Sequence, residues 1–68
     1  MSVAKVIELM AESRESWEDA TQKVVKEASR TIENIKSVYI KDMQAIVDEE
    51  EITKYRINAK VTFIVKEN

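Results

Sequence analysis

The chain has no cysteine, no histidine, no glycine and no proline. Each absence closes something off. Without cysteine there is no disulfide and no thiolate zinc site, and without histidine the usual imidazole ligands are missing too. The lack of cysteine is compatible with a reducing compartment, and the cytoplasm is the expected location. Without glycine or proline, tight turns and flexible linkers lack the residues that usually build them. One rigid domain over residues 1–68 is expected. No apolar run approaches the ~18 residues of a membrane span. Lys5 and Glu8 interrupt the start of the chain, where a secretory signal would be continuously apolar. The net charge of −2 argues against a general nucleic-acid binder.

Size adds a constraint. A 68-residue chain buries only about 60% of the surface that its unfolded form exposes. Domains this small are stapled by disulfides, by a metal or by oligomerisation. With the thiolate and imidazole routes closed, association with further copies is what remains.

What is present points the same way. From Tyr55 to Val65, alternate residues are Tyr55, Ile57, Ala59, Val61, Phe63 and Val65, with Arg56, Asn58, Lys60, Thr62 and Ile64 between them. One face is apolar and the other mostly polar, the pattern of a half-buried strand. Eleven residues extend over roughly 36 Å, against a radius of gyration of about 11 Å for a compact chain of this length. Such a strand overshoots its own core, and another copy of the chain is the expected cover.

The remaining segments complete an α+β unit. Val3 to Met10 reads as a first strand, apolar on both sides, with Ala11 to Glu15 as the connection. Ser16 to Asn34 reads as a single helix. Its apolar stripe is Trp17, Ala20, Val24, Ala28, Ile32 and Ile35, with Ser16 as N-cap and Asn34 as the stop. Glu18 and Asp19 favour the first turn, and Asp19 is set to pair with Lys23. Ser37 to Val47 reads as a second long strand. The acidic run Asp48 to Glu51 then leads into the last strand by a hairpin that carries no Asn-Gly or Asp-Gly signal. The order is β-α-β-β: a three-stranded antiparallel sheet wrapped on one helix.

Chemistry-bearing constellations are scarce. Without histidine or cysteine, catalysis would fall to carboxylates, lysine, tyrosine or serine in a perturbing environment. Only Glu8, Asp42 and Asn58 lie near strand interiors, so no enzyme is expected. Trp17 sits on the helix stripe and reads as core or interface. Lys41, Arg56 and Lys60 form a sparse basic strip with Tyr39 as its one aromatic, too little for nucleic acid. The acidic run lacks the spacing of an EF-hand and reads as a solvated loop.

Taken together, Ser2-Val3-Ala4-Lys5-Val6-Ile7-Glu8, the Ser16-Trp17-Glu18 opening of the helix, and Tyr55-Arg56-Ile57 through Val61-Thr62-Phe63 resemble a dodecin. The resemblance spans nearly the whole chain. It implies twelve copies in a hollow, cubically symmetric shell that sequesters flavin between subunits without redox turnover. The family usually has Gly-Thr-Ser where this chain has Ala11, Glu12 and Ser13, so a differently shaped turn is expected there. Flavin-binding dodecins also stack a Trp on the ring system and bond it with a Gln. Alignment on Asn34 and Tyr55 puts Ser37 and Arg56 at those positions. The ligand-binding candidates are therefore Ser37, Arg56 and Tyr39, the last a displaced platform two residues on. With these replacements the resemblance is nearer to the branch lacking the Trp, some of whose members are described as calcium-binding. It implies weakened flavin binding, a bias toward anionic ligands through the Arg56 charge, and calcium as the alternative. The first place to look for calcium is the acidic run. No metal ligand is assigned.

Overall fold

Three strands and one helix account for residues 3–66, which a computed structural model describes. They are β1 (Val3–Ser13), α1 (Trp17–Ala28), β2 (Ile35–Asp48) and β3 (Glu51–Lys66). The order across the antiparallel sheet is β1-β3-β2, so the last strand is the middle one. That placement follows from its pattern. The strand with the cleanest apolar face has the most to gain from being flanked on both edges. Ile57, Ala59 and Val61 of β3 are fully or almost fully buried.

The helix covers that face through small residues. Ala20, Val24 and Ala28 recur every four positions and are buried against β3, and their short side chains bring the helix close to the sheet. Ile7, Leu9, Ala11, Ile32, Ile35, Val38 and Ile40 ring this core, half-buried. Ser16 caps the helix as its sequence predicts, accepting from the Asp19 amide at 2.9 Å. The Asp19–Lys23 pair forms at 3.5 Å. Below the cap, buried Ser13 receives the Glu15 amide at 2.9 Å and donates to Asp19 Oδ2. That hydroxyl, with Lys23 beyond it, holds the Asp19 carboxyl below its usual range.

Several boundaries differ from the sequence reading. The helix ends at Ala28 rather than Asn34. The amides of Arg30 and Thr31 reach only three residues back, at 3.2 and 3.3 Å, which tightens the chain out of α geometry. Thr31 and Ile32 are β-branched and poor helix formers. Ile32 packs on the core from the connection instead. Asn34 takes φ 63°, a left-handed conformation that asparagine tolerates better than most residues, and its carbonyl accepts from the Ile64 amide at 3.1 Å. It redirects the chain into β2 rather than stopping the helix.

The strands are longer than their patterns suggest. β1 runs to Ser13, so Ala11, Glu12 and Ser13 pair with Ile57, Arg56 and Tyr55 instead of forming the expected turn. β2 begins at Ile35, and β3 begins at Glu51. Of the acidic run, only Glu49 and Glu50 turn, both with positive φ (51° and 68°). This is the two-residue arrangement normally supplied by Asn-Gly.

At about 1.5 Å per residue, α1 is roughly 18 Å long. The longest dimension of the chain is 53 Å, and its radius of gyration is 14.0 Å, above the roughly 11 Å of a compact chain. One helix therefore leaves much of the sheet bare. Met43, Val47 and Ile52 stand exposed on the far part of the hairpin, as do Val6 and Met10 on β1. Fully burying such a side chain contributes roughly 1.5–3 kcal/mol, so covering the exposed half of each contributes about 1 kcal/mol.

Asn34 gives a local test. Asn34→Val puts a β-branched residue at positive φ and is expected to lower stability by about 1–2 kcal/mol, whereas Asn34→Gly should leave it unchanged or raise it. Thermal unfolding at one fixed protein concentration measures this. Equal stabilities for the two variants would show that the left-handed backbone carries no cost here.

Candidate functional site

The face of the sheet away from α1 carries the candidate residues, and the strand register decides which of them meet. On β2, Ser37 lies across from Thr62 and Tyr39 across from Lys60. Arg56 of β3 lies between Glu12 on β1 and Gln44 on β2. Thr62 and Arg56 are six residues apart on one strand, roughly 20 Å. Within one chain, then, Ser37 and Tyr39 are neighbours, while Arg56 is remote from Ser37 and four residues along β3 from the partner of Tyr39, roughly 13 Å.

Tyr39 is 65% exposed and presents a ring to whatever covers this face. Ser37 is exposed and offers a hydroxyl with no aromatic surface. Arg56 is half-buried and already occupied. Its Nε donates to Glu12 Oε2 at 2.7 Å and its Nη2 closes on the same oxygen. Lys54 Nζ stands 3.6 Å from the other carboxylate oxygen. The Arg56 hydrogen bond, reinforced by Lys54, holds the Glu12 carboxyl below its usual range. The Arg56 charge is thus partly met inside the chain, by a carboxylate it shares with Lys54.

Lys41 of the basic strip is matched in the same way. Lys41 Nζ reaches Glu8 Oε2 at 3.8 Å across the sheet, and Asp42 sits beside Asn58 on the same face. Such exposed pairs contribute little stability, but they break up the positive field that a nucleic acid would need. Glu12 is the residue here that sequence reasoning missed. Its pairing depends on register, and register between strands more than forty residues apart leaves no local signal.

Trp17 proves to be a clamp. Its ring meets Tyr55 edge-on, with centroids 5.0 Å apart and planes at 75°. Its Nε1 donates to the Gln44 carbonyl at 3.0 Å. With both functions used to tie the start of α1 to the hairpin, it is no free platform. An open cleft of about 440 Å³ lies beside this junction, lined by Glu12, Ser13, Arg14, Glu15, Lys23 and Lys54. Among the described residues no group of three or more side chains is arranged to hold a metal. Among the same residues no helix is long and apolar enough to cross a membrane.

Comparison with known proteins places this geometry. The dodecin family profile matches residues 3–66. A calcium dodecin from Mycobacterium tuberculosis is 33% identical over 63 residues, covering 93% of this chain and 89% of that protein. Its crystal structure, described as that of a calcium-chelating antigen with a calcium-binding site, superposes with a TM-score of 0.82 at 30% identity, over 98% of this chain and 96% of that one. An engineered variant of the Thermus thermophilus dodecin gives a TM-score of 0.91 at 25% identity, over 98% of this chain and 100% of that one.

Proposed function

The chain belongs to the dodecin family, and from that premise we propose that it is a non-enzymatic binding protein. It works in the cytoplasm as a closed shell of twelve copies that holds a small ligand between them. One observation carries this reading. A 12-residue helix cannot cover strands of up to 16 residues, and the apolar side chains left bare are distributed over the hairpin and the outer face. Another copy is the cover of matching chemistry.

The ligand-binding residues in this reading are Ser37, Tyr39 and Arg56, contributed by neighbouring copies. Their separation within one chain supports that division. Flavin, the ligand implied by resemblance, is held weakly. An aromatic stack contributes about 0.5–1.5 kcal/mol beyond the area it buries, and Ser37 makes none. Arg56 has donors but no acceptor for a ring N–H, and Glu12 already engages it.

A second reading is favoured by the calcium dodecin relative: the assembly binds calcium. One copy brings no ready-made ligand group together among its described residues. Calcium takes six to eight oxygens, so such a site would draw carboxylates from several copies, with Asp48 to Glu51 the first to examine.

Light scattering at micromolar protein with a chelator present tests the assembly. The expected mass is near twelve protomers, and a folded monomer would contradict the reading. Parallel titrations test the ligand. Riboflavin fluorescence should be little quenched by the wild type at equimolar ratio and regained as quenching in Ser37→Trp with Arg56→Gln; strong quenching by the wild type would overturn the weak-flavin reading. Calcium heats that vanish when Glu49, Glu50 and Glu51 become Gln support the second reading, and no heat at all removes it.

A further inference from the structure

The hairpin tip gathers four carboxylates, Asp48, Glu49, Glu50 and Glu51, on a two-residue turn. None of them is in an ion pair among the described residues. The nearest cation along β3, Lys54, is engaged with Glu12. Exposed Val47 and Ile52 pair across the hairpin directly behind the acidic tip. The tip is thus an apolar pair carrying a crown of negative charge, with no ion-pair partner among the described residues.

A surface of the opposite character lies at the other side of the sheet. β1 pairs only with β3, so its outer edge is free. Between that edge and α1 is a cleft of about 420 Å³ lined by Met10, Ala11, Lys23, Lys26, Glu27 and Arg30. Ala11 gives it a small apolar floor, and Met10, opposite Asn58 on the far face of the sheet, reaches only its rim. Lys23, Lys26 and Arg30 give it three cations, of which Lys23 is paired with Asp19 and Arg30 with Glu27. Lys26 has no ion-pair partner among the described residues, and the Arg30–Glu27 pair is mostly exposed. The volume has room for side chains rather than for a second backbone.

We infer that the acidic hairpin tip of one copy docks in the cleft between β1 and α1 of a second copy. Carboxylates of the tip meet Lys23, Lys26 and Arg30, while Val47 and Ile52 meet Met10 and Ala11. The occupant is a second copy because a chain cannot fill its own cleft. Ala11 is in register with Ile57, six residues from Glu51, which leaves the tip roughly 20 Å away. The excess charge of the tip is opposite in sign to that of Lys26, and the Val47–Ile52 pair meets Ala11 and the Met10 rim. The two surfaces differ, so the contact runs head to tail and has to close into a ring to satisfy every tip and every cleft. This inference rests on the assembly reading and names one of its contacts.

A charge-swap cycle tests it at fixed ionic strength. The tip variant is Glu49→Lys with Glu50→Lys; the cleft variant is Lys26→Glu with Arg30→Glu; the third chain carries all four. All substituted positions are exposed, and circular dichroism checks that each variant keeps its fold. Like charges facing each other across a contact cost several kcal/mol. Each single-surface variant should therefore need at least about tenfold more protein for half-assembly, and the combined chain should return close to the wild-type value. A monomeric wild type would remove the assembly reading, and this contact with it. An assembled wild type whose single-surface variants assemble equally well would overturn the contact alone. So would a combined chain no better than the single-surface variants.

Discussion

The structure depends on a mismatch of lengths. An α-helix rises about 1.5 Å per residue and a strand about 3.3 Å, so a 12-residue helix cannot shield a 16-residue strand. The core forms only where the two overlap, at Ala20, Val24 and Ala28 against Ile57, Ala59 and Val61. Beyond the overlap the hairpin continues as a paired ladder, with a register shift between Ile46 and Val47, but no layer above it. Clamping by Trp17 sets the position of that boundary, because its ring and its Nε1 hold the start of the helix to Tyr55 and Gln44. A chain with neither disulfides nor histidine or cysteine metal ligands leaves this overhang to be satisfied from outside.

Reversing direction without glycine or proline is the second constraint. Among the described residues three take the left-handed region, Asn34, Glu49 and Glu50, at roughly 1–2 kcal/mol each for an ordinary residue. Asparagine carries the bend between the helix connection and β2. The two glutamates carry a hairpin turn that strand pairing on both sides imposes, since Asp48 and Glu51 are already in register. Elsewhere side chains substitute for special backbones: Ser13 and Ser16 close the turn into α1 by accepting three amides between them.

Much of the fold was legible because period-2 and period-4 patterns survive any tertiary context. The alternation from Tyr55, the stripe of Ala20, Val24 and Ala28, and the Ser16 cap all appear where their spacing predicts. Element ends were less legible. Ile32 continues the helical spacing, yet it packs from a connection, because a side chain at the right distance can reach a core without the intervening backbone being helical. Ala11 to Ser13 carries no strand alternation of its own and is drawn into β1 by pairing with Tyr55 to Ile57 in the first half of β3. The candidate site was legible as residue types only. Arg56 is a free cation in sequence and half of an ion pair in the structure, and Ser37 and Arg56 share a face but not a neighbourhood.

The claim at the centre of this account is that the bare part of the hairpin is covered by another copy. Hydrogen exchange at the amides of Met43 to Thr53, followed over a dilution series, tests it most directly. Coverage predicts slow exchange for this segment that accelerates as dilution separates the copies, while the amides of Ile57, Ala59 and Val61 change less. Rapid exchange of the segment at every concentration would contradict the claim and leave the overhang as a solvent-exposed ribbon.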